Sequence, residues 1–447
     1  MAFYRIYPSK DTSIANGDPS VGTKDISDSN VGASEILNLY RTTDGGSIIG
    51  SVFSSGIFST SSLVPFGEWN PFSGAFVSGG QQFSGSVYKH IPGSNDAHIL
   101  MKFDLSKVPT AALTAGPDFQ LKMFDAQHDQ TIPTEFNAVI YQSAQDWQEG
   151  AGHDLDLYTD QGFASWNSAS VSASWSMEGG TTGSDHEMRF GIPFPAPFFS
   201  VLTSSAYFYT GHEDLDVNVF SMVEDWISHA HLGVQNFGFF IQIDPALTAT
   251  DYYIKKFHSR QSHFPTKRPF LEVRWPDATG TLSTSQMWMA TSGAWSGSFL
   301  DARLSGIMSG IIVTKTNSLV DPTGTVLFSV PSLKPIYDST EVVRVGVYAR
   351  PKDWDLATTL SASSEATGTV LTNAYYRVVD AVTDEVLVPF CSGAVPYTKM
   401  SYNDEGNYFD LYMTSMPTGT VLRFDFEYDI SGSKTFVSGD EFKFRVR

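Results

Sequence analysis

Short runs of alternating apolar and polar residues recur along the chain, separated by Gly, Ser, Asp and Pro. A period of two sends successive side chains to opposite faces of a strand, so each run predicts a strand with one buried face. In the N-terminal part these strands fall at residues 4–6, 36–40, 97–103, 118–124 and 137–142. Residues 237–243 and 270–275 give two more, the second directly behind Pro269. One segment has a different period. In DLDVNVFSMVEDWISHA, Phe220, Val223 and Trp226/Ile227 recur every three or four residues. That spacing predicts a short helix, with Asp216 or Asn218 available to cap its start.

Two stretches interrupt this order. Residues 45–95 are rich in Gly, Ser and Phe, and their phenylalanines with Val87 and Tyr88 predict an ordered excursion such as an extra hairpin. Residues 176–204 contain FGIPFPAPFFSVL, whose prolines exclude a central strand. Leaving such a run in water costs about 25 cal/mol per Å² of apolar surface, so it must pack on its own domain or on another chain. A small sandwich rarely has room inside for a loop so rich in phenylalanine. Phe190, Phe194, Phe198, Phe199 and Leu202 are therefore the candidate interface residues.

Residues 276–280 (PDATG) carry turn chemistry without an apolar pattern and predict a boundary. Beyond them come weaker strands at 311–315 and 325–330, then PSLKP at 331–335 as a linker. Clear alternation returns at 342–349, 375–379, 386–390, 408–413, 421–428 and 442–446. The expected organisation is all-β: a jelly-roll-like β-sandwich over 1–276 with the two insertions, a small intermediate β module over 277–335, and an immunoglobulin-like β-sandwich over 336–447.

Composition agrees with this and narrows the function. Aromatic residues at 14% and charged residues at 17% suit pleated, packed surfaces. A net charge of −20, acidic in both halves, repels phosphate and argues against a nucleic-acid partner. Cys391 is the single cysteine, so no intrachain disulfide forms, and with no paired histidine nearby it reads as an inert thiol. The N-terminal segment lacks the apolar core of a secretory signal, and no apolar run approaches the roughly 18 residues that span a bilayer. A soluble protein with no membrane partner is expected.

Candidate chemistry is sparse. Trp147, Trp166, Trp226 and Trp275 sit in apolar surroundings and read as core, each needing an N–H partner, with a sugar-stacking platform as the alternative. Asp11, Asn30 and Glu35 carry oxygens suited to calcium, but no Asp-x-Asp-x-Asp-Gly spacing organises them, and turn chemistry is favoured. His229, His231, His258 and His263 form a histidine cluster in sequence. The first two would offer two ring nitrogens to one metal, although histidine ending a helix is ordinary. Glu213, Asp214 and Asp216, like Asp154 and Asp156, resemble a glycosidase carboxylate pair, but nothing assigns one as the acid. No nucleophile elbow, phosphate loop, zinc-protease or dinucleotide fingerprint stands in a believable context. No catalytic residue, metal or cofactor is assigned.

Five segments in order carry a resemblance. They are KDTSI, NVGASEILNLY, HILMKFDLSKVP, the QSAQDWQEG…ASWN block with the DVNVFSMVEDW helix, and NFGFFIQID…FHSRQSHFPTKRPFLEVRW. Together, over about residues 4–275, they resemble the DNRLRE, or disaggregatase-related, family of carbohydrate-binding-module-like β-sandwiches. Further on, VRVGVYARPKDWD, YYRVVDAVTDEVLVPF, KMSYNDEGNYFDLYM and EFKFRVR are similar to segments of structural proteins of tailed phages, especially large myoviruses. The resemblance implies a non-enzymatic virion component of the neck, tail, baseplate or a fibre. Its partners would be other virion proteins, and it would be oligomeric within the particle. The alternative is a carbohydrate-binding module that adheres to host surface glycan, and the third reading is a glycan-degrading enzyme.

Overall fold

A computed structural model describes residues 2–17, 26–44, 48–53, 56–58, 81–83, 86–90, 93–128, 134–155, 162–176, 178–180, 185, 188–190, 199–247, 252–282, 284–290, 310–316, 318–321, 324–352, 368–430 and 432–447. It is all-β, built mainly of antiparallel strand pairs, with jelly-roll-like and immunoglobulin-like sandwich character. The chain divides into two compact units, neither continuous in sequence. One comprises Tyr7–Leu105 and Gln120–Leu271. The other comprises Met1–Ile6, Ser106–Phe119 and Glu272–Arg447.

The first unit is organised by a seven-stranded sheet. Its order is Thr203–Phe208, Phe136–Gln142, Phe239–Ile243, Gly93–Phe103, Ile36–Asp44, Tyr252–His258, with Pro8–Ala15 also paired to Gly93–Phe103. Phe136–Gln142 alternates strictly between buried and half-buried positions, as its period of two requires. Phe239–Ile243 is buried at every position, because both faces of this central strand are covered. The register sets Tyr141 opposite Phe240, and Phe240 opposite Leu100. Around Phe240 and Leu100 gather Ile14, Trp147, Trp166 and Trp175 as one core cluster. Gly179 lies against it with φ of 75°, and a Cβ there would sit 2.4 Å from the Trp166 ring. Only glycine fits both the backbone and the space. Its carbonyl accepts from the buried His98 ring at 2.7 Å.

The predicted helix is Phe220–Ser228. Neither candidate is the cap: Val219 holds that position without a side-chain cap bond, and Asn218, one residue earlier, accepts the Phe220 N–H with Oδ1 at 2.9 Å. Asp216 instead sits in the strand Leu215–Asn218 opposite Lys122, with which it forms an ion pair. Met222, Val223, Asp225 and Trp226 form the buried face.

In the other unit, two sheets enclose an aromatic core. One has the order Val326–Ser329, Val342–Pro351, Gly406–Tyr412, Ser401–Asn403. The other has the order Ile336–Tyr337, Ser433–Val446, Val421–Ile430, Ala374–Asp380, Val386–Val388. Tyr376 stacks on Phe409 at 3.9 Å, and Phe424 stacks on Phe444 at 4.5 Å. Val326–Ser329, read from sequence as part of the intermediate module 277–335, hydrogen-bonds to Val342–Pro351 and so belongs to this sandwich. The final strand is longer than the expected 442–446. It spans Ser433–Val446, and before Phe442 its only apolar residues, Phe436 and Val437, stand side by side instead of alternating, which hides it from an apolar search.

Phe3 packs into the same core beside Tyr397, joining it to the N-terminal strand Ala2–Ile6. The sequence reading of a contiguous 1–276 domain has no signal for this, because strand pairing at long range leaves no local pattern.

Candidate functional site

The five candidate interface residues fall unevenly within the described residues. Phe190 and Phe199 are register partners in the short ladder of Met188–Phe190 with Phe199–Val201. Leu202 is half-buried, and Phe194 and Phe198 lie outside the described residues. In the other insertion, Ile48–Phe53 pairs with Ser86–His90, and Gly56–Phe58 pairs with Gln81–Phe83. The described residues of this stretch thus form two short antiparallel ladders.

Trp147 and Trp226 are buried in the first unit, and Trp275 is buried in the second. Trp147 donates its indole N–H to the Phe237 carbonyl at 2.9 Å. The indole nitrogens of Trp226 and Trp275 are buried without a hydrogen-bond partner among the described residues, contrary to the expectation that each would have one.

Asp11 and Asn30 converge, but on an arginine-centred network. Arg260 donates from Nε to Glu149 Oε1 at 2.7 Å and from Nη2 to Glu149 Oε2. Its backbone N–H donates to Asp11 Oδ2 at 2.8 Å, and the Asp11 N–H donates to Glu149 Oε1 at 2.8 Å. Asn30 spends its amide on the Glu149 and Ala164 carbonyls, while its oxygen accepts from the N–H groups of Gly32 and Gly152. Burial pushes the Asp11 carboxyl up to about 7, helped by the Glu149 charge and opposed by the Arg260 backbone N–H. Glu35 stands apart from this network, paired with His263.

The histidine cluster in sequence disperses in space. His229 bonds Asp225 at 2.9 Å, His258 bonds Ser262 at 3.1 Å, and His263 pairs with Glu35.

A different constellation forms where no local spacing announced one. Asp125, just after the strand Asp118–Met123, faces His128 Nε2 at 3.1 Å and His212 Nδ1 at 3.9 Å. The two imidazoles stack, with ring centroids 4.5 Å apart and planes within 22°. The His128 side chain is fully buried, and that of His212 is about half exposed (47%). Lys255, also fully buried, donates to Asp125 Oδ1 and to the Gly211 carbonyl. Burial lowers the Lys255 pKa, against the pull of Asp125, Glu213 and Asp214. Burial alone would raise the Asp125 pKa. Hydrogen bonds from His128 and Lys255 reverse that and hold it below the ordinary carboxylate range. The sequence offered only Asp125 and His128 three residues apart, with His212 far downstream.

The second unit carries two further surface features. A groove of about 250 Å³ is lined by Ser332, Arg344, Tyr348, Asn403, Glu405 and Tyr408 among others. Arg344 binds Asp410 through two hydrogen bonds of 2.8 Å and lies 4.6 Å over the Tyr408 ring. The second feature is the outer edge of Ser433–Val446. Among the described residues only Arg445 and Val446 pair with Ile336–Tyr337, so positions 433–442 have no outer partner there, while 433–438 ladder inward to Val421–Ile430. Phe436 stands half exposed (51%) on this stretch, edge-on to Phe390, with the Arg377 guanidinium 4.8 Å from its ring. No family model matches the chain, and no curated protein matches it.

Proposed function

We propose that this chain is a non-enzymatic structural component of a tailed-phage particle, in its neck, tail, baseplate or fibres, acting through contacts with other virion proteins. The N-terminal DNRLRE-like region and the phage-like C-terminal segments supply the family side of this reading. The observation that carries it physically is the outer edge at 433–442 with Phe436 exposed upon it. A strand edge with unpaired backbone groups accepts a strand from another chain, and an exposed aromatic supplies an anchor for it. Phe436→Lys keeps the edge strand and replaces the anchor with a charge. The expected outcome is a variant with wild-type circular dichroism that enters purified particles poorly. Undiminished incorporation would remove this edge from the account.

The groove beside Tyr408 favours a second reading, adhesion to host glycan. Two tyrosine rings, a planar guanidinium, two side-chain amides and the Glu405 carboxylate line one open concavity, a chemistry that stacks and hydrogen-bonds a sugar ring. Glycan-array binding abolished by Tyr408→Ala would promote it.

A further inference from the structure

We propose that Asp125, His128 and His212 bind a divalent transition-metal ion of the Zn²⁺ type. This proposal rests on the first unit alone and is independent of the virion reading. Zn²⁺ takes imidazole nitrogen and carboxylate oxygen at about 2.0–2.2 Å, so tetrahedral donors stand roughly 3.4 Å apart. His128 Nε2 stands 3.1 Å from Asp125 Oδ1 and His212 Nδ1 stands 3.9 Å from Asp125 Oδ2, so the two separations lie on either side of that value, each at its own carboxylate oxygen. All three donor atoms lie within 4.8 Å of one another. Small side-chain adjustments then suffice, and His212, the most exposed of the three, is free to make them.

The donors are held from both sides. His128 follows Asp125 by three residues and is fully buried, so its ring cannot swing away. His212 sits in the turn before Leu215–Asn218. There Glu213 Oε1 accepts the N–H groups of Tyr209 and Thr210, and Asp214 Oδ1 accepts the N–H of Asp125. The turn and the Asp125 backbone are thus tied directly together. Lys255 and His128 both bond Asp125 Oδ1, while Oδ2, which faces His212, is the oxygen left for a metal, and a bound ion would replace the His128–Oδ1 hydrogen bond. Oriented this way, the carboxylate would be shared between an ammonium and an ion, the arrangement by which outer partners fix a ligand's direction.

Charge also favours a dication. Lys255 is a single positive charge under the influence of three carboxylates, those of Asp125, Glu213 and Asp214. Several carboxylates thus act on one ammonium, a setting that favours a further cation. Three protein ligands would leave a fourth position for water or for a side chain of a partner.

The test is titration of the chelator-stripped full chain with ZnCl₂ by isothermal calorimetry, with thermal unfolding in parallel. One equivalent should bind at micromolar or tighter affinity and raise the melting temperature. His212→Ala removes a half-exposed ligand without opening the core, and should weaken binding by at least about tenfold. His263→Ala, paired elsewhere with Glu35, should leave binding unchanged. Co²⁺ should give a visible absorption band that His212→Ala abolishes. The proposal is overturned by absence of Zn²⁺ binding, by binding that His212→Ala leaves intact, or by equal loss in both histidine variants.

Discussion

Arg5 donates from Nε to Glu272 Oε2 at 2.8 Å, joining residues 267 positions apart in a pair that is almost wholly buried. The other oxygen of Glu272 accepts from Arg274 Nε at 2.7 Å. Arg5 also reaches the Leu387 carbonyl through Nη2, and its backbone N–H donates to Ser415 Oγ at 3.1 Å. The N-terminal strand is thereby fastened to the unit formed mainly by Glu272–Arg447.

Removing one partner of a buried ion pair leaves an uncompensated charge and costs several kcal/mol. Arg274 remains on Glu272, so Arg5→Ala should cost about 3 kcal/mol, at the lower end of that range. Adding Glu272→Gln to Arg5→Met should recover only part of the loss, since the buried carboxylate is then neutral but Arg274 Nε no longer faces a charge. Urea unfolding of the single and double variants measures this. Equal stability of Arg5→Ala and wild type would show that the pair is dispensable.

Trp226 packs against Phe239 with ring centroids 5.0 Å apart and anchors the helix Phe220–Ser228 to the large sheet. Trp226→Ala should lower stability by about 3–5 kcal/mol through the lost apolar contact and the cavity left behind. Denaturant titration gives the value. A near-wild-type melting temperature together with lost sugar binding would make Trp226 a ligand platform instead.

Asp11 gives the chain a pH signature. Its folded pKa of about 7 lies above the ordinary carboxylate value. Below about pH 4 both folded and unfolded states hold the proton, and Asp11 contributes nothing. Between about pH 4 and 7 the unfolded chain releases the proton while the folded chain keeps it, so stability falls as pH rises through that window. Asp11→Asn still accepts the Arg260 N–H and cannot ionise. Its stability relative to wild type should therefore increase from pH 4 to pH 8, by up to about 4 kcal/mol. A stability difference that stays flat with pH would contradict the buried, protonated carboxyl.

Much of this fold was legible because its signals are local. The alternation of Phe136–Gln142 and the spacing of Phe220, Val223 and Trp226 each report a buried face within a few residues. What escaped the sequence depends on distant partners. Nothing near Phe3 or Arg5 points to Tyr397, Glu272 or Leu387, and the polar residues before Phe442 gave no apolar pattern to count. Asp125, His128 and His212 meet only because two separate turns are hydrogen-bonded together. Of the histidines that looked richest in sequence, His229, His258 and His263 took separate partners near each of them.

The most direct measurement of the central claim is a density map of an intact phage particle with this chain traced in place. The account predicts that the chain is present in the neck, tail, baseplate or fibres, with positions 433–442 laddered to a strand of another chain and Phe436 covered. Particles that assemble without the chain, or a traced chain whose 433–442 edge and Phe436 face solvent, would contradict it.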